Sequence, residues 1–220
     1  MKSKIIVTED NSKTLLIPEL NETYHSTKGA ITEAQHVFIQ EGLHFLGRTS
    51  VNIFEMGFGT GLNALLTLNE ANSNYLNINY HTIESYPLVY NIIQEMSYLD
   101  ELKLNDLKNE FGQMHTIKTG DEIKLSSHFN FIKWINKIEN LEMHQRYYDL
   151  IYYDAFGPKV QPELWDIPVL KKMFNALKTE GILVTYCAQG QFKRNLKEIG
   201  FKVESLPGPP GKREMTRARK

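Results

Sequence analysis

Gly57, Gly59 and Gly61 fall in the run FEMGFGTGLN (54–63), with an acid, Glu55, two residues before the first of them. Glycine serves where a backbone must approach a ligand closely or turn through a left-handed conformation. The spacing is G-x-G-x-G, whereas the dinucleotide fingerprint is G-x-G-x-x-G, whose third glycine serves helix packing beside a pyrophosphate. Glu55 also argues against a pyrophosphate, because two anions repel strongly in a low dielectric, and it suits a cation instead. A second acid, Glu84, closes the run INYHTIES (78–85). It stands about 20 residues past the glycines, the place from which a carboxylate accepts the hydrogen bonds of a ribose diol. Together the two acids point to a nucleoside that carries positive charge. S-adenosylmethionine is such a ligand, with a ribose, a sulfonium, an ammonium and no phosphate. The competing reading of the loop is a tight turn that needs positive φ and touches no ligand.

These residues need a scaffold. VNIFEM (51–56) reads as a strand ending at the glycines, LNALLTLNEA (62–71) as a helix and residues 78–85 as a second strand. A strand, glycine turn and helix in that order place backbone amides at the carboxyl edge of a sheet, where doubly wound folds bind ligands. Further along, a helix is expected over 87–98 with Pro87 at its start, a charged helical stretch over 101–110, and strands over 113–118 and 129–135. A buried strand within 147–156, a helix over 169–177, a strand over 181–187, a helix over 191–199 and a strand over 201–206 complete the pattern. The fold class is therefore α/β, a doubly wound, mostly parallel sheet. Ahead of it, 4–17 reads as a hairpin turning at Asp10-Asn11-Ser12. TEAQHVFIQEGLHFL (32–46) reads as an amphipathic helix with Thr32 as a cap and Glu33 in its first turn. Residues 1–50 form a small N-terminal hairpin and helix extension packed on a core of 51–220.

Composition limits the partners. The 220 residues carry 25 Lys and Arg against 26 Asp and Glu, a net charge of -1, so a polyanion must meet a local basic patch. A single cysteine, Cys187, excludes an internal disulfide framework, and no metal-ligand spacing occurs. Cys187 reads as a buried small hydrophobe and the histidines as core or surface residues. The N-terminus lacks the apolar region of a signal peptide and no 18-residue apolar run suggests a membrane span. A cytoplasmic, reducing setting is expected.

MGFGTGLN (56–63), DAFGPKVQPELW (154–165) and GKREM (211–215) together resemble the methyltransferase domain of the bifunctional tRNA 5-methylaminomethyl-2-thiouridine biosynthesis enzymes. YHSTKGAITEAQHVF (24–38) is similar to the same family, so the resemblance runs along nearly the whole chain. It implies a Rossmann-like class I methyltransferase using S-adenosylmethionine. The implied reaction methylates the primary amine of 5-aminomethyl-(2-thio)uridine at the tRNA wobble position. Carried over by position, Gly57, Phe58, Gly59, Thr60, Gly61 and Asn63 would line the cofactor, with Glu55 beside its cation and Glu84 on its ribose. Asp154 matches the catalytic acid beside the transferred methyl. Where the family commonly has Gly-Asp for the adenine amino group, this chain has Asn136-Lys137, and Asn136 is the candidate there, with Asp121 a lesser one. The flavin-dependent oxidase that accompanies such domains is absent from these residues, so a separate oxidase acting upstream is implied.

Other readings stay open at this point. Asp154 either serves the reaction or braces the DAFGP turn. Tyr24 and Ser26 either close over the cofactor or only connect hairpin to helix. Leu164 and Trp165 read as packing for their loop. Lys159 and the 212–220 tail, rich in Lys and Arg, are the candidate contacts for tRNA phosphates, the tail alternatively being a solvated terminus. Rival functions are a methyltransferase or aminopropyltransferase for a small amine, and a non-catalytic S-adenosylmethionine-binding protein.

Overall fold

The computed structural model describes residues 3–220; Met1 and Lys2, part of the expected 1–50 extension, lie outside the described residues. β1 (Lys4–Val7) and β2 (Lys13–Ile17) pair antiparallel around the 10–12 turn, and β3 (Glu22–Thr23) adds to β2. Helix α1 (Ala30–Ala34) then runs on as a π-helical stretch over Gln35–His44. Thr32 does not cap this helix. It lies inside the first turn, and its N–H and hydroxyl donate to Asp10 Oδ2 at 3.0 and 2.8 Å. The cap therefore comes from the hairpin, a partner that local spacing in the sequence does not reveal. Burial raises the Asp10 pKa, but hydrogen bonds from Ser12, Thr8 and Thr32 outweigh it and hold the carboxyl at about 2.

The main sheet begins with β4 (Ser50–Met56), followed by α2 (Leu62–Asn74) and β5 (Asn77–Glu84). Residues 87–89 are not helical; α3 (Tyr90–Glu95) and α4 (Tyr98–Glu101) are short, and α5 (Lys108–Thr116) occupies the segment expected to be a strand over 113–118. Buried Phe111 and Met114, one turn apart, supply the period that settles this helix. β6 (Glu122–Ser126) and β7 (Phe129–Ile135) form a hairpin, then come β8 (Tyr148–Tyr153), α6 (Ile167–Ala176), β9 (Leu177–Thr185), α7 (Gly190–Ile199), β10 (Lys202–Pro207) and β11 (Glu214–Arg219).

The eight strands order as β10-β11-β9-β8-β4-β5-β7-β6. The neighbours from β9 through β7 are parallel, while β11 and β6 run antiparallel to theirs. Alternating strand residues feed two cores. Ile53, Tyr80, Tyr152 and Val184 face α1, α2 and α5, whereas Phe54, Ile83, Ile151 and Leu183 face α6 and α7. Leu15, Ala30, Val37 and Phe38 of the extension belong to the first of these cores. After β4 the chain winds toward β5 and β7, then returns to place β8 on the other side of β4. The carboxyl ends of β4 and β8 are thus the switch point where such sheets leave a crevice. Among the described residues no helix is long and apolar enough to cross a membrane.

Candidate functional site

The two strand ends at the switch point are joined directly. Asp154 follows β8, and its N–H donates to the carbonyl of Met56, the last residue of β4, at 2.9 Å. Gly57 continues β4 at φ +92°, and a Cβ there would lie 2.6 Å from the Asp154 carbonyl oxygen. Glycine at 57 therefore makes room for the backbone of the acid. Gly59, at φ +52°, would push a Cβ to 3.1 Å from the ring of Tyr24. The glycine loop is held down by β5, since the N–H groups of Gly57 and Phe58 both donate to Ile83 O at 3.2 Å.

Glu84 organises the next shell of contacts. One carboxylate oxygen accepts the Gly59 N–H at 2.9 Å and the other accepts the Tyr86 N–H at 2.8 Å. A carboxylate offers about four acceptor directions, so two remain for a diol. Asn63, in the first turn of α2, donates from Nδ2 to Asp154 Oδ2 at 2.8 Å. Burial pushes the Asp154 carboxyl up to about 7, against the opposing hydrogen bond from Asn63. Lys133 is buried beneath the loop, donating to Met114 O and His115 O at 2.7 and 2.8 Å, with its ammonium 4.9 Å from the Phe58 ring centre. Burial draws its pKa down to about 8.

All this opens on a cavity of about 1420 Å3, lined on one side by Gly57, Phe58, Thr60, Glu84 and Tyr86 and on the other by Tyr24, Phe156, Lys159 and Lys212. Single-ligand pockets run to roughly 300–1,000 Å3, so this one has space for a cofactor and a second group beside it. Asp154 lies in its wall together with Asn63. Tyr24 closes edge-on to Phe156, ring centres 5.0 Å apart, and burial with the charge of Glu84 drives its phenol up to about 12. Trp165 does pack its loop, donating Nε1–H to Phe156 O at 2.8 Å.

Of the expected site residues, Gly57, Phe58, Gly59, Thr60, Asn63, Glu84 and Asp154 come together along this wall. Three do not. Glu55 is fully buried behind the loop, its side chain on the face that packs against α2, and is not in the cavity wall. Gly61 caps the start of α2 at φ +76°. Asn136 is exposed beyond the end of β7, and its Oδ1 accepts the Lys137 N–H at 2.8 Å, so it does not reach the cavity. Ile138 stands in the cavity wall instead.

The basic tail is corrected in the same way. Residues 214–219 are a strand, not a free terminus, because alternating Met215, Arg217 and Arg219 lie across β9 and β10. Arg217 pairs with Glu41 and Glu204 at 3.1 and 2.7 Å, and its guanidinium carbon lies 3.4 Å from the Phe45 ring centre. Lys220 donates to Phe174 O and Leu177 O at 2.6 and 2.8 Å. Lys212 and Arg213, in the turn before β11, line the cavity. Lys212 forms an ion pair with buried Glu33, whose other oxygen accepts the Ser26 N–H at 2.8 Å. Sequence reasoning missed this pair and Tyr86. Glu33 carried only the ordinary signal of an acid in a first helical turn.

Known proteins agree with this architecture. A family model described as S-adenosyl-L-methionine-dependent methyltransferase matches residues 94–220. The chain is 28% identical to the tRNA 5-methylaminomethyl-2-thiouridine biosynthesis bifunctional protein MnmC of Cupriavidus metallidurans, over 95% of this chain and 33% of that protein. It is also 28% identical to the protein of the same description from Leptospira interrogans, over 96% and 34%. The chain thus spans about a third of the length of these curated relatives. Among solved structures, MNMC2 from Aquifex aeolicus matches with a TM-score of 0.75 at 23% identity, over 99% of this chain and 69% of that one. Spermidine synthase from Thermotoga maritima matches at 0.56 and 16%, over 100% and 72%.

Proposed function

This chain belongs to the S-adenosyl-L-methionine-dependent methyltransferase family, and we propose that its substrate is the primary amine of 5-aminomethyl-(2-thio)uridine at the wobble position of tRNA. The observation that carries the reading is the placement of Asp154. The acid lies in the wall of a cavity too large for one ligand, at the junction of the glycine loop with the side lined by Tyr24 and Lys159. The relatives' names, which specify tRNA 5-methylaminomethyl-2-thiouridine biosynthesis, support the choice of substrate.

The residues present fit S-adenosylmethionine. Glu84 retains acceptor directions for the ribose, and the φ values and close backbone approach at Gly57 and Gly59 keep side chains out of its path. When bound, it would supply a sulfonium methyl to a neutral amine, the N–C bond forming as the C–S bond breaks and S-adenosylhomocysteine leaves. Tyr86 and Ile138 are among the apolar residues of the wall, and they take over the adenine contact expected of Asn136.

Asp154 orients the neutral amine by hydrogen bonding and accepts a proton from the nitrogen late, as methylation makes that nitrogen more acidic. A free alkylamine, with a pKa near ~10, is about one-thousandth neutral at pH 7. A carboxyl held near 7 is a much better proton acceptor for it than an exposed aspartate. Asn63 fixes the carboxylate's direction. Residues 3–50 act as the second wall of the cavity rather than as an independent unit, through Tyr24, His25 and Glu33. Lys159, Lys212 and Arg213 are the phosphate contacts at the rim. The aminomethyl group is supplied by an oxidative step upstream, and a tRNA substrate sets the protein in the cytoplasm.

The test incubates the protein with methyl-labelled S-adenosylmethionine and tRNA bearing aminomethyl-uridine, then identifies nucleosides by mass. One added methyl at that nucleoside, reduced about 100-fold or more in Asp154→Ala, is expected. Transfer to small polyamines with none to tRNA would replace this reading by the small-amine one.

A further inference from the structure

Glu55 was expected to face the cofactor's cation, yet it is 0% exposed and sits behind the loop. On β4 it is level with Thr82 of β5 and Tyr152 of β8. The groups around it do not balance. Neither carboxylate oxygen of Glu55 has a hydrogen-bond partner, and neither does Asn63 Oδ1 nor the Tyr80 hydroxyl. Asn63 and Tyr80 are 3% and 0% exposed and are the side chains near enough to Glu55 to act on it by hydrogen bonding, together with Thr82. Thr82 spends its hydroxyl on the Glu55 backbone carbonyl at 3.3 Å.

The charges around Glu55 weigh more than the donors it can find. An ionised carboxylate only accepts, and the amide oxygen of Asn63 only accepts. One Asn63 Nδ2 hydrogen is already committed to Asp154. The remaining Asn63 hydrogen and the Tyr80 hydroxyl are the donors left for an ionised Glu55, neither of them a cation, and a second carboxylate, Asp154, acts on it with like charge. A buried charge left unpaired is the costlier state, and such a group takes up a proton instead. A neutral carboxyl changes the count, since it offers one donor and keeps its acceptor capacity.

We propose that Glu55 is a resident neutral acid and a positioning residue. Its hydroxyl donates to Asn63 Oδ1, its carbonyl accepts from Tyr80, and the amide of Asn63 is thereby locked with Nδ2 toward Asp154. Cofactor affinity does not draw on Glu55 as a charge. Burial moves the Glu55 carboxyl up to about 8, against hydrogen bonds from Thr82, Asn63 and Tyr80 and with a lesser contribution from the like charge of Asp154. The titratable groups that face it are Tyr80 from β5, Tyr152 from β8 and Asp154 just after β8, while α2 presents Asn63.

The inference takes the methyltransferase activity and the role of Asp154 from the reading above, but its first two tests need no tRNA. Isotope-edited infrared spectra at pH 6 are expected to contain a protonated carboxyl band that disappears in Glu55→Gln. Calorimetric titration is expected to give that variant an S-adenosylmethionine Kd within roughly threefold of the parent, because no charge has been removed from the cofactor. Glu55→Ala is expected to lower kcat roughly tenfold or more with the cofactor KM little changed, and Glu55→Gln to recover most of it through its amide donor. In the parent the rate falls away above about pH 8 as Glu55 ionises, and Glu55→Gln removes that limb. No acid band lost at pH 6 on going to Glu55→Gln, or a loss of about tenfold or more in cofactor affinity in that variant, overturns the proposal. If tRNA is not methylated but both tRNA-free results hold, the substrate reading fails and this one stands.

Discussion

Replacing Gly57 with alanine tests how the glycine loop and the proposed catalytic acid, Asp154, are joined. Two costs act at this position. The backbone lies at φ +92°, where a side chain costs about 1–2 kcal/mol. The new Cβ would also meet the Asp154 carbonyl oxygen at 2.6 Å and its carbon at 3.2 Å, and both atoms are backbone, so a strand end must move. Overpacking of this kind costs about 1–3 kcal/mol, which brings the expected loss to about 2–5 kcal/mol. Gly47→Ala is the control, since that residue has φ +59° with nothing within 4 Å of a Cβ and meets only the first cost. Urea unfolding of both variants isolates the collision as the difference between them. A shift of about 1 Å in the carboxylate lowers methyl transfer roughly 100-fold. If Gly57→Ala loses no more stability than Gly47→Ala and transfers methyl at the parent rate, the packing of the loop against Asp154 is wrong.

Asp149 accepts from Arg48, Lys178 and the Asn52 N–H at 2.6, 2.8 and 2.9 Å. Asp149→Ala is expected to cost about 2–3 kcal/mol in urea unfolding, less than a fully buried pair because the two cations are 40% and 39% exposed and water can receive them. Stability should also depend on pH in a defined direction. Glu55 and Asp154 hold protons in the folded chain up to about 8 and 7, above their ordinary 4.5 and 3.8, so the folded state binds more protons in that window and stability falls as pH rises through it. Burial lowers His25, His81 and His115 to about 4, 4 and 3, which acts in the opposite sense below 6.5. From pH 6.5 to 8 the acids alone remain of these five groups, and the unfolding free energy should decline there in the parent and flatten in a Glu55→Gln, Asp154→Asn double variant. Lys159→Ala and Arg213→Ala should each weaken tRNA binding and flatten its dependence on log salt by about 0.7 per lost contact to single-stranded phosphate; an unchanged slope removes that residue from the interface.

Much of the fold was legible because its signals are local. The strand, glycine turn and helix from Ser50 to Asn74 announce themselves through apolar runs and φ-permissive residues, and β8 through a continuous buried stretch. β6 and β11 were not, because EIKLS and EMTRAR read as charged surface until a neighbour is known. In β11 charge density concealed a period of two, and its arginines are used up by Glu41, Glu180 and Glu204 from distant segments. The candidate site divides the same way. Glycines, Glu84 and Asp154 could be placed by motif, but the Lys212–Glu33 pair joins residues 179 positions apart, beyond any local pattern. Glu55 was misplaced because its neighbour in sequence is a ligand loop while its side chain follows the strand's alternation to the opposite side.

β11 is threaded between β9 and β10 rather than added at an edge. During synthesis from the amino end, β9 and β10 must both wait, unpaired with each other, for a strand made after them. The turn that carries Lys212 and Arg213 to the cavity leads directly into that strand, so this part of the rim is placed only once β11 has docked. Until β11 docks, β9 keeps one edge open and β10 has no partner in the sheet, so one strand closes two edges at once and seats Lys212 and Arg213 at the rim.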